Sequence, residues 1–272
     1  MRCAVIGDPA HHSLSPAIHR AGYAAHGLAW TYDAVTVAPD ALGEFVRSCA
    51  ADPQWAGLSV TAPHKEAICA FGEPDHVTRL VGAGNTLVLG EQPQVMNTDV
   101  PGFVRAWRAH DPRPLRSAAI VGNGATARSL MVAMAGLDVR EVVVLARDPR
   151  RAGALVDLGV ALGVATVAVG LDEPVGGLDL LASTIPAAAT AAQADAWAAA
   201  ATAVFDVVYD PWPTPLAAAA RDAGSRSLNG LDLLAGQAVD QFFLLTGQRL
   251  TFEQCRSAAT AELQRRGAAV EE

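Results

Sequence analysis

Ile120-Val121-Gly122-Asn123-Gly124-Ala125-Thr126-Ala127, continuing through Leu130 and Met134, is the stretch that decides the fold. An apolar strand-like run enters a GxGxxA turn and leaves it with helical periodicity. The first glycine permits the tight turn, the second lets a pyrophosphate approach the backbone, and Ala127 lets the helix pack closely on the strand. The helix N-terminus then faces the phosphates. Working outward, Ala118 to Val121, Glu141 to Ala146, Ala165 to Val169, Asp179 to Ala182 and Val204 to Val208 read as buried parallel strands, most of them separated by helical stretches. Such alternation predicts a doubly wound Rossmann-type α/β domain with right-handed crossovers. Upstream, Cys3 to Ile6, Trp30 to Val35, Gly57 to Val60 and Asn85 to Leu89 read as short strands. Pro16 to His26, Pro39 to Ala50 and Pro63 to Phe71 read as helices that begin at or next to a proline. Helices over Leu231 to Thr246 and Thr251 to Arg266 are long enough to pack back onto this earlier layer. The expected organisation is α/β throughout: an N-terminal α/β domain, discontinuous over 1-100 plus 235-272, around a dinucleotide-binding domain at 101-234.

Composition narrows the partners. The chain has 272 residues, is 51% hydrophobic and 18% charged, and carries a formal charge of -8. Disorder is excluded by that apolar content, and the acidic balance argues against nucleic acid or an anionic membrane as partner, leaving small molecules. The longest uncharged stretch, Leu180 to Ala194, contains Pro186 and is too short and weakly apolar to span a bilayer. The opening apolar run stops at Gly7-Asp8, short of a secretory h-region, so a cytoplasmic location is expected. Cys3, Cys49, Cys69 and Cys255 are scattered without ligand spacing and read as buried thiols, with no metal site. Nineteen of the twenty basic residues are arginines and one is a lysine, Lys65. A chain that writes arginine for a generic cation has kept one ammonium.

Polar clusters follow at the strand ends, where α/β sites assemble. His12-Ser13-Leu14-Ser15-Pro16 places two hydroxyls before a proline-started helix; one serves as a cap, and two with the open helix end make a receptor for a small carboxylate. Then come Ser59-Val60-Thr61-Ala62-Pro63-His64-Lys65-Glu66, Gly84-Asn85-Thr86 and Met96-Asn97-Thr98-Asp99. After the strand that follows the glycine turn stands Ala146-Arg147-Asp148-Pro149-Arg150-Arg151. Arginines at that place suit a 2'-phosphate and point to NADP, while Asp148 would suit the free ribose of NAD. Lys65 and Asp99 are candidates for proton transfer: an ammonium can release a proton, whereas a guanidinium, with a pKa above ~12, is a poor acid. The bland readings are a solvated helical lysine and an aspartate capping a helix from Pro101 to His110.

In these motifs and their order the chain resembles the shikimate dehydrogenase family. The serine pair before proline, the VTxPxK segment, the NT and NTD motifs, the glycine turn and a late Tyr209-Asp210-Pro211-Trp212-Pro213-Thr214-Pro215-Leu216 element, followed by Asn229-Gly230-Leu231 and Gln237, cover essentially its whole length. The resemblance implies NADP(H)-linked, reversible reduction of 3-dehydroshikimate to shikimate on the route to chorismate and the aromatic amino acids. A quinate/shikimate or aminoshikimate dehydrogenase using NAD is the alternative. It implies Lys65 and Asp99 as catalytic pair and Ser13, Ser15 and Tyr209 around the substrate carboxylate, with Thr61, Asn85 and Gln237 holding ring oxygens beside that pair. For the cofactor it implies Gly122, Asn123, Gly124, Ala125, Thr126, Ala127, Arg147, Asp148 and Arg151, with Gly230 and Leu233 by the nicotinamide. The N-terminal domain becomes the substrate domain, and the protein is expected as a monomer or homodimer. Two departures stand out. Ser59 occupies a place where the family commonly has asparagine, and Ala146-Arg147-Asp148 replaces Asn-Arg-Thr. His64 reads as a rim residue.

Overall fold

From Cys3 to Gly7 every residue of β1 (Arg2–Gly7) is buried, and the strand is interior to its sheet, with β2 (Thr31–Thr36) parallel on one side and β3 (Trp55–Val60) parallel on the other. Beyond β3 run three short strands, β4 (Glu73–Pro74), β5 (Thr86–Val88) and β6 (Gln94–Met96), in the order β3-β5-β6-β4, with β5 antiparallel to both β3 and β6. α1 (Ser15–Ala25) connects β1 to β2 and α2 (Leu42–Ala51) connects β2 to β3, the two crossovers that parallel pairing requires. The computed structural model describes residues 1–111 and 113–268; the last four residues of the expected N-terminal domain, 269–272, lie outside them. The chain divides into two units, one formed by residues 1–102 and the segment from 234 onward, the other by residues 103–233.

In the first unit, Ala4, Ile6, Leu58, Val60 and Leu87 pack against Val46 and Cys49 of α2. An aromatic group, His19, Tyr23, Tyr32 and Phe242, fills the space among α1, β2 and the later helix that carries Phe242. His19 stacks on Tyr32 at 4.2 Å between centroids, and burial holds its imidazole down to about 3, so it is a neutral core residue at physiological pH.

The expected helix from Pro63 to Phe71 is not formed. The backbone turns through Pro63 and Lys65, and only Ala67–Phe71 closes into a 3₁₀ helix. The Lys65 carbonyl, which a helix would give to residue 69, instead accepts from the Gly84 amide at 2.7 Å. Lys65 is therefore fixed in a turn rather than solvated on a helix. Further on lie α3 (His76–Val81), capped by the Asp75 side chain, and α4 (Asp99–His110).

The second unit is the parallel sheet of the sequence reading. β7 (Ser117–Val121), β8 (Glu141–Leu145), β9 (Ala165–Val169), β10 (Leu178–Ser183), β11 (Ala201–Asp206) and β12 (Arg226–Asn229) align in the order β12-β11-β10-β7-β8-β9. The connection that leaves β9 returns to the other side of β7, so the strand order reverses between β7 and β10, the place where doubly wound sheets bind nucleotides. α5 (Ala125–Ala135), α6 (Gly153–Ala161), α7 (Ala194–Ala200) and α8 (Pro215–Asp222) alternate with these strands. On one face Ala119, Val121, Leu181 and Val204 meet Trp197, Ala198, Leu216 and Ala220; the many alanines let the helices sit close to the sheet. The chain closes with α9 (Gly230–Thr246) and α10 (Phe252–Ala268), the latter packed on α1. Among the described residues no helix is long and apolar enough to cross a membrane.

At the end of α4, the fully buried Asp111 carboxylate is held by Arg113 at 2.7 Å and by Arg226 at 2.9 Å. The Arg113 hydrogen bonds hold its pKa down at about 2, below the unfolded value of ~4. A carboxyl with a depressed folded pKa stabilises fully above its unfolded value and loses that contribution as pH falls through the folded one. Stability against urea is expected to decline between pH 4 and 2, and Asp111→Asn should flatten that decline while lowering stability at pH 7.

Candidate functional site

The segment that carries Lys65 is pinned along its length. The Thr61 amide donates to the Ile6 carbonyl at 2.8 Å and the His64 amide to the Thr61 carbonyl at 3.0 Å, while His64 Nε2 lies 2.7 Å from the Val37 carbonyl. His64 is 1% exposed, so it is no rim residue: its ring fastens the turn to the end of β2. So placed, Lys65 Nζ donates to Asp99 Oδ2 at 2.7 Å, with 16% and 5% of the two side chains exposed.

Asp99 opens α4 without capping it. Asn97 takes that role, its Oδ1 accepting from the Val100 amide at 3.2 Å and its Nδ2 donating to the Ala83 carbonyl at 2.8 Å. Both Asp99 oxygens stay available, and the second accepts from Asn85 Nδ2 at 2.9 Å. A buried carboxylate is tolerated when its lone pairs are met in this way. Asn85 is itself fully engaged: its amide also donates to Gln237 Oε1 at 3.0 Å, and its oxygen accepts from the Thr98 amide at 2.8 Å and from the Thr98 and Thr86 hydroxyls at 3.1 Å. Lys65, Asn85, Asp99 and Gln237, which lie far apart in sequence, thus form one network.

A second chain of buried groups runs beside it. Tyr32, whose hydroxyl also meets Ser15, donates to Ser59 Oγ at 2.5 Å; Ser59 donates to Gln241 Oε1 at 2.9 Å, and Gln241 Nε2 donates to the Asn85 carbonyl at 3.0 Å. Burial pushes the Tyr32 phenol's pKa up, so it stays a neutral donor. Ser59 is therefore a relay held from both sides. The sequence reading missed Tyr32 and Gln241. For Gln241 a signal existed: it stands four residues after Gln237, on the same face of α9.

Ser13 precedes α1, and Ser15 is its first residue, with Pro16 in the first turn. Ser13 Oγ accepts from the Ser15 amide at 3.2 Å, a local turn bond; Leu14 holds the cap position, so the cap expected of one serine is not formed. From α10, Arg266 donates to the His12 and Ser13 carbonyls at 2.9 and 3.1 Å and is held by Glu262 at 2.8 Å, a brace that no sequence spacing announced.

In the second unit, Gly122 has φ +103°, a backbone open to glycine, and an added Cβ would meet the Thr184 hydroxyl at 2.5 Å. Around Gly124 nothing lies within 4 Å of such an atom, so its backbone can be approached closely. Ala125 and Thr126 open α5, and Ala127 is buried against the sheet. Gly122, Asn123, Arg147, Asp148 and Arg151 line a cavity of about 430 Å³, a volume suited to a nucleotide portion. Asn123 ties the glycine turn to the arginine turn by donating to the Arg151 carbonyl at 2.8 Å. Tyr209 belongs to this unit, close beside Gly230, and Leu233 is buried.

Asn85→Leu should cost about 2–4 kcal/mol of unfolding free energy by urea titration, because it strands several buried partners at once.

The chemistry these residues offer is that of a held ammonium–carboxylate pair in one unit and a phosphate-compatible glycine turn in the other. Comparison with known proteins finds matches along the chain. Residues 5–87 match the model of the shikimate dehydrogenase substrate binding domain. A shikimate dehydrogenase (NADP(+)) of Methylobacterium radiotolerans is 36% identical, over 91% of this chain and 92% of its own. The crystal structure of Mycobacterium tuberculosis shikimate dehydrogenase superposes with a TM-score of 0.88 at 37% identity, covering 96% of this chain and 99% of that one. The Thermus thermophilus shikimate 5-dehydrogenase, in complex with NADP(H) and shikimate, reaches a TM-score of 0.82 at 29% identity, covering 96% and 99%.

Proposed function

The chain belongs to the shikimate dehydrogenase family, and from that membership we propose that it is an NADP(H)-dependent oxidoreductase interconverting 3-dehydroshikimate and shikimate, with Lys65 and Asp99 as its proton-transfer pair. Its place is the route to chorismate and the aromatic amino acids, in the cytoplasm. The observation that carries the reading is the 2.7 Å contact between the chain's one lysine and a buried aspartate, met from the other side by Asn85.

NADPH, when bound, supplies the hydride to the ring carbonyl. The chain's residues do the rest. As the carbonyl oxygen gains negative charge, Lys65 stabilises it and provides a proton, and Asp99 holds the ammonium in line and accepts a ring hydroxyl. Asn85, Thr61 and Gln237 present amide and hydroxyl groups to the remaining ring oxygens. Ser13 and Ser15 receive the carboxylate at the start of α1. The glycine turn at Gly122 to Ala127 would hold the pyrophosphate, Gly230 and Leu233 the nicotinamide end, and Arg147 and Arg151 the 2'-phosphate. Asp148, which a free NAD ribose would need as acceptor, already takes Arg150 Nε at 3.0 Å and Nη2 at 3.2 Å, and this favours NADP(H) over NAD.

A matrix of shikimate and quinate against NADP and NAD, followed at the nicotinamide absorbance, tests the assignment. Shikimate with NADP is expected to have the highest kcat/KM, and a preference for quinate or NAD would overturn it. Lys65→Arg keeps the charge but not the acidity and should lower kcat by about 100-fold or more with little change in cofactor affinity. Ser13→Ala with Ser15→Ala should raise the KM for shikimate more than it lowers kcat, since carboxylate binding is largely shared by ground and transition states.

A further inference from the structure

We infer that Arg150, although it is not part of the nucleotide cavity's wall, sets the cavity's preference for a 2'-phosphorylated adenosine by occupying and neutralising Asp148. The inference rests on the NADP(H) reading above and deepens it, by assigning the selectivity to one pair within the arginine turn.

Asp148 is the anomaly of the arginine turn. It lines the same cavity as Arg147 and Arg151, so a bare carboxylate there would stand beside an incoming phosphate. It is not bare. Its Oδ1 accepts from the Arg150 amide at 3.2 Å and from Arg150 Nε at 3.0 Å, and its Oδ2 accepts from Arg150 Nη2 at 3.2 Å. The fork-to-fork arrangement spans two residues of one tight turn, the 3₁₀ segment Pro149–Ala152 that Asp148 caps, so little chain entropy is lost in making it. The same bonds hold the Asp148 carboxyl below the usual range, and it stays ionised at neutral pH.

Charge counting shows what the pair does. Arg147, Arg150 and Arg151 contribute three positive charges and Asp148 one negative, a net of two that matches the ~1.5 to 2 negative charges of a phosphomonoester at pH 7. Without Arg150 the net falls to one, and the released carboxylate can repel the phosphate or accept from an unphosphorylated ribose hydroxyl. Both effects shift selectivity toward NAD. Asp148→Asn restores the net of two in a protein that lacks Arg150, and asparagine keeps the cap.

The test is calorimetric binding of 2',5'-ADP and of 5'-ADP to the full-length protein at one fixed ionic strength. The ratio of the two affinities is read, independent of turnover. Arg150→Ala is expected to lower that ratio by about 10-fold or more, Asp148→Asn alone to raise it, and the double variant to return to within about 3-fold of wild type. An unchanged ratio in Arg150→Ala would overturn the inference. So would an equal loss in the Asp148→Asn background, which would make Arg150 a direct phosphate ligand. Wild-type protein with no preference for 2',5'-ADP would instead overturn the NADP(H) reading, and the inference with it.

Discussion

Taking the Asp99 carboxylate out of water is the constraint on which the first unit is organised. Desolvating an ion costs several kcal/mol even after relaxation, and a partner charge offsets that only when the remaining lone pairs are also met. Lys65 meets one oxygen and Asn85 the other. Asn85 must then be satisfied in turn, which draws in Thr86, Thr98 and Gln237, while its backbone carbonyl takes Gln241. Two apolar residues in place of the pair would be a simpler way to stabilise a core. On the proposed function the pair serves chemistry more than stability.

The same logic explains the division of labour between cations. Arginine, planar and permanently charged, is used where a charge has to be held: Arg113 and Arg226 on Asp111, Arg265 and Arg266 on Glu262, Arg150 on Asp148. Lysine stands once, in the buried contact with Asp99 to which we assign the proton transfer. The two units also differ in what they present: hydroxyls stand at the start of α1, with Arg266 taken up by backbone carbonyls beside them, whereas Arg147 and Arg151 line the cavity of the second unit.

Much of the fold was legible because both periodicity and punctuation were strong. The apolar runs of the inner strands β7, β10 and β11 are buried on both faces, which leaves uninterrupted signals, while β9, expected buried, lies at the edge and exposes Val167; glycine positions at 122 and 124 carry a steric meaning that side chains cannot imitate. The short strands β4, β6 and β12 left little trace. They have two to four residues each and owe their conformation to pairing with neighbours. The helix expected from Pro63 failed for a related reason: its hydrogen-bonding groups found better partners elsewhere, the Lys65 carbonyl with Gly84. His64 looked like a rim residue since a histidine in a polar motif gives no sign of depth.

By itself the sequence determined which residue types are present and where strands can end: a lone lysine, an aspartate at a helix start, paired serines before proline, arginines after the second strand of a nucleotide fold. Those are local facts, set by covalent neighbours and by the periods of helix and strand. Only the tertiary structure decided that Asn97 caps α4 so that Asp99 need not, that Gln237 and Gln241 grip the two ends of Asn85, and that Arg150 takes up Asp148. A hydrogen bond is directional and falls off within a fraction of an ångström, so which donor meets which acceptor is fixed by the placement of whole elements.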